Sequence, residues 1–169
     1  MPLSPAAETL RRRVANRFFL WFWMLFKLPA ALFCGVRLHT LTEARCVTSV
    51  PFGWRSQNPF KSTYFAAQAM AAELSTGAIV LLAAEDAGVP ISTLIVSLDS
   101  TFGKKAVDRV FFTCEAGVAI FDAVQQAQAS GEARTVTVET VGRMADGAET
   151  SRFRFTWSVK ARRSAASPV

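Results

Sequence analysis

The chain has 169 residues, of which 51% are apolar and 19% charged, with three cysteines, one histidine and a formal net charge of +6. This composition excludes a disordered protein, and the length fits one domain that buries its own core. Three cysteines without short spacings exclude a disulfide framework or a zinc site, so we expect a cytoplasmic protein with no metal and no cofactor.

The positive charge lies at the two ends of the chain. Residues 1–37 hold six Lys/Arg and one acid, and residues 152–163 hold five Lys/Arg and no acid. The body between them has more acids than bases. Nucleic-acid binding requires a basic face on the folded domain, so we expect no nucleic-acid partner. Basic ends beside apolar residues favour a membrane surface or an acidic ligand tail.

The first 34 residues are predicted to form a basic and aromatic helical extension. Residues 1–9 resemble a frayed terminus, and three arginines then precede an aromatic run from Phe18 to Phe26. That run is too short to span a bilayer, which takes about 20 apolar residues. Two interpretations remain open: a helix docked over the domain's own apolar surface, or a helix in peripheral contact with a membrane.

Residues 35–163 are predicted to form one α+β domain. Alternating apolar residues from Gly35 to Phe52 indicate a strand pair or one long bent strand. A long apolar helix is then expected, with an Asn58-Pro59 turn before it, Ser62 as its N-cap and Asp86 near its end. Glu73 is the one residue expected to be charged between Ser62 and Ala84. Burying it is costly unless something pairs with it or uses it.

The second half of the chain is predicted to be mostly strands. Leu94, Val96 and Leu98 are expected on one face of the first of these, and Lys104-Lys105 in the turn that follows it. About five strands would wrap as an antiparallel sheet around the long helix, and 164–169 would be a disordered tail. The predicted elements are strands at Ile91–Phe102, Val107–Cys114, Ala133–Val141 and Ser151–Ala161, and a short helix at Ala116–Ala129.

Two stretches, KLPAALFCGVRL from Lys27 and NPFKSTYFAAQAMAAELSTG from Asn58, resemble hotdog-fold proteins of the acyl-CoA thioesterase type. More narrowly, they resemble a branch described as a thioesterase-like domain of unknown function. The resemblance covers residues 27–160 and implies a hotdog fold that hydrolyses acyl-CoA or acyl-carrier thioesters. These families have an Asn before the central helix and an acid fifteen positions later, the spacing of Asn58 and Glu73. Their His-Gly-Gly stretch is replaced here by Tyr64-Phe65-Ala66.

The resemblance also implies a homodimer with paired sites at the interface. At about 1.5 Å per residue, Glu73 lies on the order of 16 Å from Ser62, so one bond would be reached from two chains. The N–H groups of Tyr64 and Phe65 would then polarise a thioester carbonyl. Glu73 of the partner would act as general base or nucleophile, and Asn58 would orient the water or the carbonyl. The candidate substrate-binding residues are Ser62, Lys104 and Lys105.

Each of these residues also has a plainer explanation. Glu73 could be a buried acid that is satisfied by Gln68, Ser75 or a partner backbone group. Asn58 before a proline is a common turn former, and the two lysines could belong to a solvated turn. The whole chain could also be a non-catalytic acyl- or lipid-binding hotdog protein, associated with a membrane surface, and it could assemble as a dimer or a tetramer.

Overall fold

A computed structural model describes residues 2–162, so the predicted tail at 164–169 lies outside the described residues. The chain opens with three short helices, α1 (Pro5–Ala15), α2 (Arg17–Lys27) and α3 (Pro29–Phe33). The frayed start predicted for residues 1–9 is wrong for the described part, because Ser4 caps α1. Its hydroxyl accepts a hydrogen bond from the Ala7 amide, and its own amide donates to Asp86 at 2.6 Å.

The predicted aromatic helix is confirmed as α2. Asn16 caps its start, since its side-chain oxygen accepts hydrogen bonds from the amides of Phe18 and Phe19. The helix ends at Lys27, and Pro29 begins the next one. One face of α2 docks on the domain through the buried Met24 and the partly buried Leu20 and Trp23. The opposite face is exposed to solvent.

The sheet has six antiparallel strands, against the prediction of about five, in the order β1-β2-β4-β5-β6-β3. The alternating stretch after Gly35 is a strand pair, as one of the two interpretations held. The strand predicted from Val107 begins only at Val110. The strands are β1 (Arg37–Leu41), β2 (Cys46–Val50), β3 (Ile91–Phe102), β4 (Val110–Cys114), β5 (Arg134–Arg143) and β6 (Glu149–Ala161).

The long central helix is confirmed as α4 (Phe65–Asp86), and the short helix as α5 (Gly117–Ser130). Most of α4 is buried, against β2, β4, β5 and β6 on one side and α1 on another. Within residues 2–162 it is the one helix long and apolar enough to cross a membrane by length and composition, and most of its apolar window is buried inside the protein. Together the sheet and α4 make the hotdog arrangement, a curved antiparallel sheet wrapped around one helix.

Strand β3 forms one edge of the sheet and pairs only with β6 among the described strands. A bulge between Ile95 and Ser97 shifts its register, so Leu94 lies opposite Ser158 and Leu98 opposite Phe155. Phe155 is buried towards the helix and Ser158 is not, so the predicted common face of Leu94 and Leu98 is wrong. Leu98 and Phe102 lie on the helix side of the edge, and both are about half exposed.

Candidate active site

The loop before α4 is held together by Asn58. Its side-chain oxygen accepts hydrogen bonds from the amides of Phe60 and Ser62 at 3.0 and 3.2 Å. Its amide nitrogen donates to the Ser62 hydroxyl at 3.1 Å. These bonds are those of a turn former, and one Asn58 N–H is left free among the described residues. Ser62 is not the N-cap that the sequence predicted, because its hydroxyl serves this loop and α4 begins three residues later.

The predicted lysine pair lies beside this loop. Lys105 donates to the Phe60 carbonyl at 3.3 Å, and the neighbouring Ala106 carbonyl accepts from the amide and the hydroxyl of Thr63. Lys104 precedes it in the same exposed turn. Lys61, inside the loop, adds a third ammonium group nearby. The structure therefore brings the lysines, Asn58 and the start of α4 to one end of the molecule.

The first amides of α4 are only partly available to a ligand. The Tyr64 amide donates to the Ser56 carbonyl at 2.7 Å, so it is not free to polarise a substrate, which corrects its predicted role. The Phe65 amide makes no hydrogen bond to any residue within 2–162, as is usual for the first turn of a helix. Of the two predicted oxyanion donors, Phe65 is the one whose N–H remains open.

Gln68 fixes the start of α4 in place, a role that the sequence analysis did not assign. Its side-chain nitrogen donates to the Thr63 carbonyl, and its side-chain oxygen accepts from the Ser151 hydroxyl at 2.8 Å. This buried amide therefore ties the helix to the preceding loop and to β6. A single amide inside an apolar helical run was the available signal, because such a group needs partners when it is buried.

Glu73 lies half-buried in the middle of α4 and lines a cavity of about 240 Å³. The other walls of the cavity come from Met70 and from the junction of α2 and α3 at residues 27–31. Its carboxylate makes no hydrogen bond or ion pair with any residue of the described chain. Burial raises the pKa of the Glu73 carboxyl above its ordinary value. Glu73 is therefore a desolvated acid without a partner in the described part of the chain.

The two polar neighbours proposed for Glu73 are engaged elsewhere. Gln68 binds the loop and β6, as described above. The Ser75 hydroxyl donates at 2.6 Å to the Ala72 carbonyl and lies 2.8 Å from the Thr140 hydroxyl. Pairing of Glu73 with Gln68 or Ser75, one of the interpretations left open by the sequence, is therefore wrong.

Gly77 makes room for the Glu73 carboxylate one helical turn later. A Cβ at Gly77 would lie 2.9 Å from Glu73 Oε1 and 3.4 Å from the Trp157 ring. Trp157 belongs to β6, the strand beside the open edge strand β3. This face of α4 therefore lies towards the open edge of the sheet at β3. Because Gly77 has no side chain, the Glu73 carboxylate can lie flat against the helix.

The start of α4 and Glu73 cannot serve one substrate carbonyl within a single chain. Eight residues separate Phe65 from Glu73, which is about 12 Å along a helix. This distance is shorter than the one predicted from Ser62, because α4 begins at Phe65. The conclusion is the same: both groups can reach one bond only if a second chain contributes one of them.

We expect Glu73→Gln to stabilise the protein near neutral pH. The folded-state pKa of Glu73 is raised, so its contribution to stability is fully present below the unfolded-state pKa and is lost as the pH rises through the folded-state value. At a pH above the folded-state pKa, the wild-type protein carries a poorly solvated negative charge at Glu73, and the Glu73→Gln variant does not. Urea unfolding at several pH values checks this. In acid, the free energies of unfolding of the two proteins should become similar. A variant that is less stable than the wild type at neutral pH would contradict the prediction.

We expect Gly77→Ala to lower activity while leaving the fold at least as stable. Alanine in a helix interior is favoured over glycine by about 1 kcal/mol, but its methyl group would displace the Glu73 carboxylate. We expect a loss of about tenfold or more in kcat for any reaction that uses the Glu73 carboxylate, with an unchanged or higher Tm. Gly53→Ala is the control, because a Cβ there meets nothing within 4 Å. Unchanged turnover in Gly77→Ala would mean that the carboxylate position is unimportant.

No protein-family model matches the sequence, and no curated protein matches it significantly. Solved structures do match. A Pseudomonas aeruginosa protein of unknown function, described as "Probable Thioesterase", is 15% identical with a TM-score of 0.74, over 96% of this chain and 99% of that one. A Chlorobaculum tepidum protein of unknown function is 10% identical with a TM-score of 0.74, over 93% and 98%. A Haemophilus influenzae thioesterase is 12% identical with a TM-score of 0.58, over 94% and 92%.

These similarities confirm the class of protein at the level of the fold. The chain is a hotdog-fold protein whose similar structures include thioesterases and proteins of unknown function. The resemblance noted in the sequence is confirmed to that extent. At identities of 10–15% the shared fold carries no residue roles. The roles at this site must come from its own geometry.

Proposed function

We propose that the protein hydrolyses acyl thioesters of coenzyme A or of an acyl carrier, at sites shared between two protomers. The observation that carries this proposal is the desolvated carboxylate of Glu73, which lines a cavity and has no hydrogen-bond or ion-pair partner within residues 2–162. Apolar surroundings that raise a carboxyl pKa are how a general base is tuned to work near neutral pH. The fold shared with thioesterases supports the same reaction class.

The second protomer would pack along the open edge of the sheet, which is strand β3. Edge strand β3 has twelve residues, and four of its large apolar side chains are exposed: Leu94, Val96, Leu98 and Phe102. A long, exposed apolar edge strand promotes aggregation of a monomer, whereas in an oligomer it can pair with a second chain. Two-fold packing with antiparallel central helices would place Glu73 of one chain near Phe65 of the other. The exposed Leu98 and Phe102 would then border an apolar channel for the acyl chain.

In such a site the chemistry needs no group beyond the protein and water. The Phe65 amide would donate a hydrogen bond to the thioester carbonyl oxygen as negative charge develops on it. Glu73 of the partner would take a proton from water as the water oxygen bonds to the carbonyl carbon. Collapse of the tetrahedral intermediate would break the carbon–sulfur bond, and the proton held by Glu73 would pass to the leaving thiolate. Asn58, through its free N–H, is the candidate to orient the water or the carbonyl.

The lysine turn is the candidate contact for the substrate's carrier. Lys104 and Lys105 lie beside the loop that leads into α4, and Lys61 adds a third positive charge. Ammonium groups bind phosphates as point charges, and both coenzyme A and acyl carriers present phosphates. Ser62 belongs to the same loop, and its hydroxyl is committed to Asn58. We therefore propose the lysines as phosphate contacts, and Ser62 as part of the loop that places them.

The proposal is tested by turnover of acyl-CoA thioesters from short to long chains, with thiol release followed by absorbance. Sedimentation of the same preparation measures the oligomeric state. Hydrolysis by a dimer or tetramer is the expected result. Hydrolysis by a monomer would overturn the shared site but not the reaction class. No hydrolysis of any thioester would overturn the proposed activity.

A second candidate function is non-catalytic acyl or lipid binding in the same channel. The observation that favours it is the bulky Phe65, which stands where the resembling families have glycine. Its ring is exposed at the start of α4, packs edge-on against Tyr64 with the ring centroids 4.9 Å apart, and could narrow the approach to the open amide. Native mass spectrometry of the purified protein should then show a retained acyl ligand without turnover. Clear hydrolysis of any acyl-CoA would exclude this function.

A further inference from the structure

The outer face of α2 is an uncovered aromatic surface. Five large apolar side chains recur at helical spacing on it, and Phe18 and Phe26 are 82% and 77% exposed. The docking face of the same helix, through Met24, already provides its contact with the domain. Folding of this chain therefore leaves the outer face unused. We call this surface the α2 stripe: Phe18, Trp21, Phe22, Leu25 and Phe26.

Basic side chains surround the α2 stripe. Arg17 and Lys27 bound the helix, and Arg12 and Arg13 end the helix before it. Glu8 of α1 is paired with Arg11 and Arg12. Arg13, Arg17 and Lys27 form no ion pair within residues 2–162, so their positive charge is not neutralised there. A two-fold contact of this surface with a second copy would bring like charges together without acids to balance them.

A cavity beside the stripe is lined by three arginines. It lies between α2 and β1, has a volume of about 580 Å³, and is bordered by Arg17, Arg37 and Arg55 together with Trp21 of the stripe. No acidic residue lines it. The three guanidinium groups make no hydrogen bond or ion pair within the described chain. Unpaired guanidinium groups gathered in one concave site are suited to a phosphate.

We propose that the α2 stripe lies flat on an anionic phospholipid membrane and that the three-arginine cavity takes a lipid phosphate. The helix has 11 residues, about 16 Å in length, and cannot cross a hydrocarbon core of about 30 Å. An apolar face rich in Phe and Trp and bordered by Arg and Lys is the composition of a helix that lies in the membrane interface. This inference is independent of thioester hydrolysis.

Vesicle flotation of the full-length chain tests the proposal. The vesicles are phosphatidylcholine alone, or phosphatidylcholine with an equal amount of phosphatidylglycerol. Wild type should float with the anionic vesicles and much less with the neutral ones. Phe18→Ser/Phe22→Ser/Phe26→Ser should bind anionic vesicles roughly tenfold or more weakly. Val107→Ser/Val118→Ser, at exposed sites outside the stripe, should bind like the wild type.

The arginines need their own variant and control. Each basic residue near an anionic surface changes binding roughly fivefold, so Arg17→Gln/Arg37→Gln/Arg55→Gln should weaken binding on the order of 100-fold. Arg45→Gln/Arg134→Gln/Lys160→Gln removes the same charge elsewhere and should have a smaller effect. Equal losses in the two triple variants would overturn the arginine cavity as a phosphate site and leave only a general charge effect.

The position of the helix is read from tryptophan fluorescence. Trp21 belongs to the stripe, whereas Trp23 faces the domain. Trp54 is 79% exposed and precedes Arg55, so the measurement uses a Trp54→Phe background. In that background, brominated lipids should quench the parent and Trp23→Phe strongly, and Trp21→Phe weakly. Absence of flotation with anionic vesicles would overturn the proposal. So would a triple Phe variant that floats like the wild type but sediments as a smaller species, since the stripe would then be an interface between copies.

Discussion

Phe65→Pro should reduce kcat for thioester hydrolysis by about 10²–10³ while the helix stays intact. Proline removes the one predicted oxyanion N–H that the structure leaves open. It is tolerated here because Phe65 is the first residue of α4, where no hydrogen bond within the helix is lost. The residue before a proline must be extended, and Tyr64 already has φ −59° and ψ 136°.

Phe65→Ala is the matched control, because it removes the same ring and keeps the amide. Its kcat should stay within a few-fold of wild type, and circular dichroism should show the same helix content in both variants. If the alanine variant loses as much activity as the proline variant, the ring matters and the amide does not. If the proline variant keeps wild-type kcat, the start of α4 is not the oxyanion site.

Glu73→Gln should lower kcat by about 10²–10⁴, the range for removing a positioned general base. The amide keeps the shape of the side chain in its cavity, so the loss would report proton transfer rather than packing. In wild type, kcat/KM should rise with pH through the pKa of Glu73, which burial places above the ordinary range for a glutamate. That rise should be absent from the residual activity of the variant.

Glu85→Gln is the control, since Glu85 lies on the same helix but is exposed. It should keep wild-type kcat and the wild-type pH profile. A Glu73→Gln variant with unchanged kcat would remove Glu73 from the mechanism. Together with the expected gain in stability of this variant at neutral pH, loss of activity would mark Glu73 as a residue kept for chemistry at a cost to the fold.

Most helices and strands could be predicted from local patterns in the sequence. Alternation gave the ends of β3 at Ile91 and Phe102, and one uninterrupted apolar run gave α4 with its end at Asp86. These signals are strong because they repeat over many residues. The bulge in β3 could not be foreseen, since it arises from pairing with β6 and leaves no mark in the alternation itself.

The positions of the candidate site residues could be predicted from the sequence, but most of their contacts could not. Glu73 stood out because one acid in an apolar helix must be paired or used. The N-cap of α4 is Tyr64, two residues after the predicted Ser62. Ser62 is a good capping residue by type, but its hydroxyl is bound by Asn58 in the loop. The Tyr64 amide is occupied by the Ser56 carbonyl, and the role of Gln68 depends on its contact with the distant Ser151. A sequence pattern does not report such contacts.

The most direct test of the shared site is the activity of a mixed dimer. Phe65→Pro and Glu73→Gln are co-expressed with different tags, and dimers carrying both tags are isolated and assayed. If each site takes Phe65 from one chain and Glu73 from the other, one of the two sites in the mixed dimer is intact, and about half of the wild-type activity returns. If both groups act within one chain, every site carries a defect, and the mixed dimer stays as inactive as its parents.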